Sequence, residues 1–205
     1  MPQTSPRRGC KMSHDHILDK PVLALFPEDL DGYRILDVAC GFGFWAFYLR
    51  IRKQGEPQII GLDIWKPYLI RLKNVGIYDG LVLADAKKLP FRKTFDVIIG
   101  CELLEHLREK EGLNTLKELE RTGTGRIIVS TPTDFFEQAE AHGNPYQKHH
   151  SFWSRKELAN LGYRTEIIYD PPLPRTLKVA DKIRRLIFRL PRPGRGELIA
   201  HKSLA

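Results

Sequence analysis

Short apolar runs alternate along the chain with segments whose apolar residues recur at helical spacing. The runs predict five strands, at Arg34–Val38, Gln58–Leu62, Leu81–Ala84, Phe95–Gly100 and Arg126–Thr131. The segments between them predict helices at Phe44–Arg52, Pro67–Lys73, Leu103–Glu109 and Leu113–Arg121. Strands that alternate with helices predict an α/β fold with a parallel sheet and crossover helices.

The pattern changes after this alternating region. Ser154 and Glu157 form a capping-box signature for a further helix, which Gly162 should end. Two more strands are predicted, at Tyr163–Tyr169 and Glu197–Lys202. We therefore predict a single domain over residues 14–205 with a helical lead-in over residues 14–30, a lid-like insertion over 133–153 and a basic amphipathic helix over 177–190. Residues 1–13 are rich in Pro, Ser and Arg, which predicts disorder.

Composition excludes several classes of protein. The chain has 205 residues, of which 42% are hydrophobic and 28% charged, as in ordinary globular proteins. No apolar run is long enough to span a bilayer, and no apolar stretch follows the basic residues near the N-terminus, so we expect neither a membrane span nor a signal peptide. The three cysteines lack metal or disulfide spacing. These features predict a cytoplasmic protein with reduced thiols.

The net charge of +8 is unevenly distributed along the chain. Residues 1–147 contain 20 basic and 20 acidic side chains, whereas residues 148–205 contain 13 and 5. The predicted helix Leu177–Leu190 carries part of this excess beside an apolar stripe, at Lys178, Lys182, Arg184, Arg185 and Arg189. This helix could lie on an anionic membrane, hold an RNA or phosphorylated substrate, or simply pack on the sheet edge with solvated basic residues.

The segment Arg34–Leu49 carries the strongest chemical signal. A strand that contains Asp37 is followed by the turn Gly41-Phe-Gly43 and then by a predicted helix. This strand–turn–helix unit is typical of a cradle for a nucleoside-bearing cofactor, because the glycines permit a sharp turn and leave no Cβ against a ligand.

Two further carboxylates support that interpretation. Asp63 ends the second strand, about 20 residues after the glycines, where a carboxylate can accept hydrogen bonds from both ribose hydroxyls. Asp85 ends the third strand, where an acid can face an adenine amino group. Each could be a surface turn residue. Acids at the ends of three successive strands are difficult to explain in that way.

On these residues, and on Leu89-Pro-Phe91 followed by Phe95–Gly100, the chain resembles class I S-adenosylmethionine-dependent methyltransferases, in particular the type 11 group. The resemblance implies a Rossmann-like seven-stranded, mostly parallel sheet with helices on both faces and an antiparallel last strand. It implies a methionine site at Asp37–Gly43, a ribose acceptor at Asp63, and adenine contacts at Ile64, Asp85 and Ala86. We add Ala39 and Cys101 to the expected contacts, although the family usually has glycine at the position of Ala39.

A nicotinamide-dependent dehydrogenase is the alternative for the cradle. Gly41, Gly43 and Ala46 match the glycine-rich Rossmann fingerprint, and Asp63 stands where that fingerprint has its acidic residue. Asp85, the short chain and the lack of a second catalytic domain argue against it.

A second set of polar residues follows the fourth strand: Glu102, Glu105, His106 and Glu109 would share one face of a helix. Carboxylates with an imidazole suit Mg²⁺, Mn²⁺ or Zn²⁺. The Glu-x-x-Glu-His pattern resembles ubiquinone-pathway O-methyltransferases and small-RNA 3′-end 2′-O-methyltransferases. The latter take another ligand after the fifth strand, where this chain has Lys148-His149-His150. The resemblance implies the metal ligands Glu102, Glu105, His106 and His149. The alternative is an acidic helix face with a histidine that orients the substrate.

The insertion over residues 133–153 contains aromatics, histidines and the turn Asn144-Pro145. Its segment Asn-Pro-Tyr, then Lys-His, then Trp-Ser resembles many methyltransferases of the type 11 group. We expect a substrate lid, or else a loop whose aromatics seal the core. His106, His149 or His150 could accept a proton from the acceptor, and Glu102 could face it.

These observations leave three hypotheses of function. The first is methyl transfer from S-adenosylmethionine to an oxygen or nitrogen of a small-molecule or lipid-linked acceptor, by a protein that is cytoplasmic or peripheral at a membrane. The second is RNA methylation, favoured by the basic end of the chain. The third is a non-catalytic cofactor-binding module, against which the intact glycines and acids argue.

Overall fold

The computed structural model describes residues 18–134, 137–140, 143–169 and 196–204. Seven strands form one sheet, and they are β1 (Arg34–Val38), β2 (Gln58–Asp63), β3 (Gly80–Leu83), β4 (Phe95–Cys101), β5 (Gly123–Pro132), β6 (Arg164–Tyr169) and β7 (Gly196–Ser203). The α-helices of the described residues are α1 (Asp19–Leu23), α2 (Phe44–Arg52), α3 (Lys66–Val75), α4 (Glu109–Thr122) and α5 (Arg155–Asn160). Short 3-10 turns lie at Leu104–His106 and Pro145–Gln147.

The strand order is β3-β2-β1-β4-β5-β7-β6. Strands β1 to β5 pair in parallel, and β7 pairs antiparallel with both β5 and β6. The chain runs outward from β1 to β3 and then crosses to β4 on the other side of β1. Such a switch point opens a crevice at the carboxyl ends of the strands, where ligands bind in this kind of sheet. The predicted fold class is confirmed.

Helices cover both faces of the sheet because alternate residues of the central strands point to opposite sides. Ile35 packs on one face with Val22 of α1 and Leu49 of α2. Leu36 packs on the other face with Leu119 of α4 and Leu158 of α5. The central strands are thus apolar on both faces, and they fix the strand ends that carry the site.

Local signals explain several element boundaries. Ser154 accepts a hydrogen bond from the Glu157 backbone at 3.2 Å and the Glu157 carboxylate accepts one from the Ser154 N–H at 2.7 Å, so the predicted capping box starts α5. Gly162 has a φ of 86°, which only glycine adopts at low cost, and it follows α5 as predicted. Helix α2 and strand β1 have the predicted bounds, and the other six strands differ from prediction by a few residues at their ends.

The predicted helix Leu103–Glu109 is wrong. Glu102 has a left-handed backbone with a φ of 52°, and only a single 3-10 turn follows it. The N–H of Arg108 donates to Glu111 Oε2 at 3.1 Å, and this capping contact starts α4 at Glu109 rather than at the predicted Leu113. Residues 102, 105, 106 and 109 therefore do not form a helix face, and they are brought together by a tight turn instead.

Two sequence predictions lie outside the described residues, namely disorder over residues 1–13 and the helix Leu177–Leu190. The predicted lead-in over 14–30 contains α1, at Asp19–Leu23. Within the described part of the chain, no helix has both the length and the apolar character needed to cross a membrane.

Candidate active site

A cavity of about 690 Å³ opens at the carboxyl ends of the parallel strands. Its lining includes all of the predicted cofactor contacts except two, and all of the predicted catalytic and metal-binding residues. The two exceptions are Asp37 and Gly43, which do not line the cavity. One cavity therefore joins the two sets of polar residues that the sequence analysis treated separately, so a cofactor and an acceptor can meet in it.

The turn after β1 has three residues with positive φ: Ala39 at 58°, Gly41 at 52° and Gly43 at 80°. A Cβ on Gly41 would have no neighbour closer than 3.9 Å, so its absence leaves room for a ligand. A Cβ on Gly43 would lie 2.6 Å from Leu72 and 2.7 Å from Ile77, so this glycine serves helix packing. Ala39 adopts the backbone for which glycine is favoured, which explains the usual glycine of the family at that position.

Asp63 connects the second strand to the glycine turn. Its Oδ2 accepts a hydrogen bond from the N–H of Gly41 at 2.9 Å, and its Oδ1 accepts one from the N–H of Trp65 at 2.7 Å. Burial raises the pKa of Asp63, and the backbone hydrogen bonds act against that rise. The two oxygens together offer about four acceptor positions, which is more than the backbone N–H groups of Gly41, Ile64 and Trp65 occupy, so the carboxylate can still accept from a ligand hydroxyl.

The third strand end contributes Asp85 and Ala86. Asp85 Oδ1 accepts from the N–H of Lys87 at 2.9 Å, which fixes the carboxylate at the cavity wall. The ammonium of Lys87 lies 3.5 Å from Asp85 Oδ2 and 2.9 Å from Glu111 Oε1. Ile64 and Ala86 add apolar surface to the same wall, which suits the flat face of a nucleobase.

Asp37 lies beneath the turn and is 2% exposed. Its Oδ2 accepts a hydrogen bond from the hydroxyl of Tyr78 at 2.6 Å. Burial raises the pKa of Asp37 to about 7, the Tyr78 hydrogen bond opposes that rise, and the nearby charge of Asp63 adds to it. This carboxyl therefore changes its charge near neutral pH.

The other half of the cavity is formed by residues after β4. Glu105 is 2% exposed, and its pKa is raised well above the usual range by burial and then by the charges of Glu102 and Glu197. Glu102 is held by Ser130, whose hydroxyl donates to Glu102 Oε1 at 2.7 Å. Its left-handed backbone adds strain of a kind that concentrates at functional sites.

Glu105, His106 and His149 bring three potential ligand atoms to within 4.8 Å of one another. His106 Nε2 lies 4.0 Å from Glu105 Oε1, and the His106 and His149 ring centroids are 4.9 Å apart. Burial, then the neighbouring His149, lowers the pKa of His106 to about 4, so its ring is neutral at neutral pH. His106 Nδ1 lies 3.3 Å from the carbonyl oxygen of Lys148, which leaves Nε2 toward Glu105.

Glu102 and His150 are not members of this group of three in the described chain. The His150 side chain is exposed, although its backbone N–H donates to the carbonyl of Glu105 at 2.7 Å. That hydrogen bond ties the insertion to the turn after β4, and it is what brings His149 to His106.

The described part of the insertion contributes to both the cavity wall and the core, and its role as a substrate lid stays a prediction. Tyr146 lines the cavity and lies edge-on to Trp65, with 6.2 Å between ring centroids. Asn144 Oδ1 accepts from the N–H of Tyr146 at 2.9 Å and starts the 3-10 turn there. Trp153 is buried and contacts Gly112, where a Cβ would lie 2.4 Å from its ring. The segment thus lines the cavity at Tyr146 and packs into the core at Trp153.

Several residues of the site are not predicted from the sequence. Glu197 is the second residue of β7, is 9% exposed and lines the cavity, but nothing around it forms a recognisable motif. Tyr68, Arg108 and Asp134 also line it, and Tyr78 and Ser130 position its acids. The fold order provided one usable signal for Glu197, because the start of an antiparallel last strand lies at the same sheet edge as the ends of the parallel strands.

Comparisons with known proteins agree with this geometry. Residues 36–125 match the family model described as a methyltransferase domain. A curated relative, the tRNA U34 carboxymethyltransferase of Idiomarina loihiensis, is 28% identical over 113 residues, which cover 51% of this chain and 34% of that protein. The chain thus spans about a third of the length of this relative.

Solved structures share the fold at low sequence identity. A chain in the complex of the Haloferax volcanii Trm112 methyltransferase activator with a methyltransferase has a TM-score of 0.64 and 18% identity, covering 92% of this chain and 88% of that one. An S-adenosylmethionine-dependent methyltransferase of Archaeoglobus fulgidus has a TM-score of 0.61 and 18% identity, and the match covers 91% of this chain and 93% of that one. Magnesium protoporphyrin IX methyltransferase of Synechocystis, with S-adenosylmethionine bound, has a TM-score of 0.55 and 15% identity, and the match covers 92% of this chain and 76% of that one.

The strand order, the crevice and the family match over residues 36–125 support a class I S-adenosylmethionine-dependent methyltransferase domain. S-adenosylmethionine is the cofactor of this class, as the sequence analysis predicted, and the dehydrogenase alternative is not supported. The narrower resemblance of the Glu-x-x-Glu-His segment stays a prediction.

Proposed function

We propose that the protein transfers a methyl group from S-adenosylmethionine to an oxygen or nitrogen of a small-molecule or lipid-linked acceptor. The observation that carries this proposal is the single cavity, which joins the cofactor residues to the polar group at Glu105, His106 and His149. A non-catalytic module would not need a second, chemically equipped half in the same cavity.

The cofactor residues have separable roles in this proposal. Asp63 and Asp85 bind the ribose and the adenine edge, while Ile64 and Ala86 pack against the base. Ala39, Gly41 and Cys101 would line the place of the methionine portion. Asp37 would act from the end of β1 and Gly43 through its packing on Leu72 and Ile77. Bound S-adenosylmethionine would supply an activated methyl group, so the main task of the chain is to orient the acceptor atom toward that group and to exclude water.

The acceptor proton needs a destination as the new bond to carbon forms. His106 is neutral and faces the cavity, but its lowered pKa makes it a weak base. His149, next to it, is the second candidate, and Glu102 and His150 lie close enough to the same cavity to orient an acceptor. We assign the proton-accepting role to the pair His106 and His149 in the absence of a metal.

We further propose that Glu105, His106 and His149 hold a divalent metal. A buried carboxylate oxygen and two imidazole nitrogens are a donor set that Mn²⁺ or Zn²⁺ accepts more readily than Mg²⁺ does. A neutral imidazole is the form that binds a metal. Such a metal would lower the pKa of a coordinated acceptor hydroxyl. Glu102, which is bound by Ser130, would then act on the acceptor rather than as a ligand.

RNA methylation is the second candidate function. The basic excess of residues 148–205 and the similarity to a tRNA-modifying enzyme favour it. Lys178, Lys182, Arg184, Arg185 and Arg189 would then bind phosphates, whereas in the first proposal they would hold the protein at an anionic membrane from the cytoplasmic side. RNA binding should weaken steeply with salt.

Two experiments test the proposed function. Mass spectrometry of the purified protein should identify co-purified S-adenosylmethionine or its demethylated product, and calorimetry should show binding of both. Assays with radiolabelled methyl donor should then compare phenolic and amine acceptors, free and lipid-linked, with RNA. Labelling of RNA alone would replace the first proposal with the second, and failure of the wild-type protein to bind the cofactor would refute both.

A further inference from the structure

Tyr78 occupies a place that no sequence motif explains. It lies in the connection between α3 and β3, yet its hydroxyl reaches the end of β1 and donates to Asp37 Oδ2 at 2.6 Å. This distance is that of a strong hydrogen bond to a carboxylate. The hydrogen bond therefore links the loop between α3 and β3 to Asp37, which precedes the glycine turn.

Two glycines make room for the Tyr78 ring. A Cβ on Gly61, in β2, would lie 2.9 Å from Tyr78 Cε1 and 3.0 Å from Cδ1. A Cβ on Gly43 would lie 3.3 Å from Cε2 of the same ring. Side chains at these positions would push the ring away, so the backbone of both β2 and the cofactor turn is adapted to hold it.

The surroundings of Asp37 give this hydrogen bond an electrostatic role. The groups that face the carboxyl are Asp63 from β2, Cys40 from the turn, Cys101 from β4 and Tyr78 itself. The charge of Asp63 disfavours ionisation of Asp37. The thiols of Cys40 and Cys101 are neutral because burial raises the pKa of both. Among the causes of its shifted pKa, the Tyr78 hydroxyl is the one that favours the carboxylate.

We propose that Tyr78 is a positioning residue that holds Asp37 as an oriented carboxylate beneath the cofactor turn, and so strengthens binding of the positively charged methionine end of S-adenosylmethionine. The inference rests on the proposed function and adds a residue to it. The charge on Asp37 attracts the cationic ligand through a site of low dielectric constant. Tyr78 contributes by favouring that charge and by fixing where the oxygens lie.

Calorimetry of S-adenosylmethionine binding between pH 6 and 8.5 tests this for the wild-type protein and Tyr78→Phe. Wild-type affinity should fall as the pH drops below about 7, because Asp37 becomes protonated. In Tyr78→Phe the fall should begin at a higher pH, and affinity at pH 7 should be about tenfold lower, as expected for one charge-assisted hydrogen bond. Comparison of the two proteins at each pH cancels the titration of the cofactor itself.

Tyr163→Phe is the matched control. It also removes a tyrosine hydroxyl that donates to a carboxylate, that of Glu120 at 3.3 Å, but Tyr163 is not part of the cavity lining. Its binding curve should follow that of the wild type at each pH. A similar loss of affinity in both variants would show that Tyr78→Phe acts through general destabilisation, and would overturn the inference.

A double-mutant cycle with Asp37→Asn shows whether Tyr78 acts through Asp37. Asp37→Asn should weaken binding and remove the pH dependence near 7, and Tyr78→Phe should add little in that background. A full, additive effect would overturn the inference, as would equal binding by the wild type and Tyr78→Phe at every pH. If the wild type binds no cofactor at all, the proposed function fails and this inference fails with it, which is a distinct result.

Discussion

The carboxylate of Asp63 accepts a hydrogen bond from the N–H of Gly41 across the switch point of the sheet, with 2.9 Å between the two atoms. The second strand thereby holds the turn of the first in place. One side chain is thus both an organiser of the turn and the expected ribose acceptor, so removing it should have two effects.

Asp63→Ala should lower the affinity for S-adenosylmethionine at least tenfold. The variant loses two ribose hydrogen bonds, each worth about 1–2 kcal/mol, and also releases the turn at Gly41. Calorimetry measures this, with Asp31→Ala as a control because that aspartate is exposed and lies outside the cavity lining. Equal binding by Asp63→Ala and the wild type would contradict the assignment of the crevice.

The half of the cavity proposed to bind the cofactor could be predicted from sequence because the sequence patterns that indicate it lie within short segments. Gly41 and Gly43 are followed directly by helix α2, and Asp63 and Asp85 stand where apolar strands end. These patterns depend on the backbone of short segments, which the sequence determines strongly. Gly43 shows the limit even here, since a Cβ at this position would meet the side chains of Leu72 in α3 and of Ile77 in the loop after it, which are distant in sequence.

The half of the cavity around Glu105 and His149 could be predicted only in part, because contacts between residues distant in sequence form it. Glu105 and His149 meet through a backbone hydrogen bond between residues 105 and 150, which no periodicity indicates. The helix-compatible neighbours of Glu102 predict a helix, but its positive φ and the hydrogen bond from Ser130 place it in a tight turn. Glu197 and Tyr78 carry no local signal at all, because their roles come from where the sheet places them.

Removal of one imidazole should test the metal site. Mn²⁺ or Zn²⁺ should bind the wild-type protein, and His149→Ala should weaken that binding by roughly tenfold or more. Metal titration followed by calorimetry measures this without a methyl acceptor. His201→Ala is a suitable control because His201 lies on β7 outside the cavity lining.

Two results would contradict the metal proposal. One is the absence of metal binding by the wild-type protein, and the other is full methyl transfer after exhaustive chelation. In either case His106 and His149 would keep their proposed roles toward the acceptor proton.

Replacement of Arg184, Arg185 and Arg189 by Gln should weaken binding to the acceptor-bearing partner and leave cofactor affinity unchanged. Basic residues near an anionic surface contribute about 1 kcal/mol each, so the triple variant should bind anionic vesicles at least tenfold less tightly. Sedimentation with vesicles and with RNA over a salt series measures both partners. RNA binding with a steep salt slope and no vesicle binding would favour the RNA hypothesis instead.

A matched control for that variant removes three charges elsewhere. Lys73, Lys110 and Lys117 are exposed on α3 and α4, and their replacement by Gln lowers the net charge equally. Equal loss of binding in both triple variants would show a general charge effect. If the wild type binds neither vesicles nor RNA at low salt, the proposed role of these arginines is refuted.

The buried Asp37 should make the stability of the ligand-free protein depend on pH. Its pKa is about 7 in the folded protein and 3.8 in the unfolded chain, so the folded state holds the proton more tightly. Unfolding between those values releases a proton, and the free energy of unfolding should therefore fall as the pH rises from about 4 to about 7. This group alone accounts for a change of up to about 4 kcal/mol. Asp37→Asn lacks the titration, so the difference in urea-unfolding free energy between variant and wild type should grow in favour of the variant over that range. A difference that stays constant with pH would show that Asp37 is already ionised in the folded protein, and that the Tyr78 hydroxyl is sufficient to keep it so.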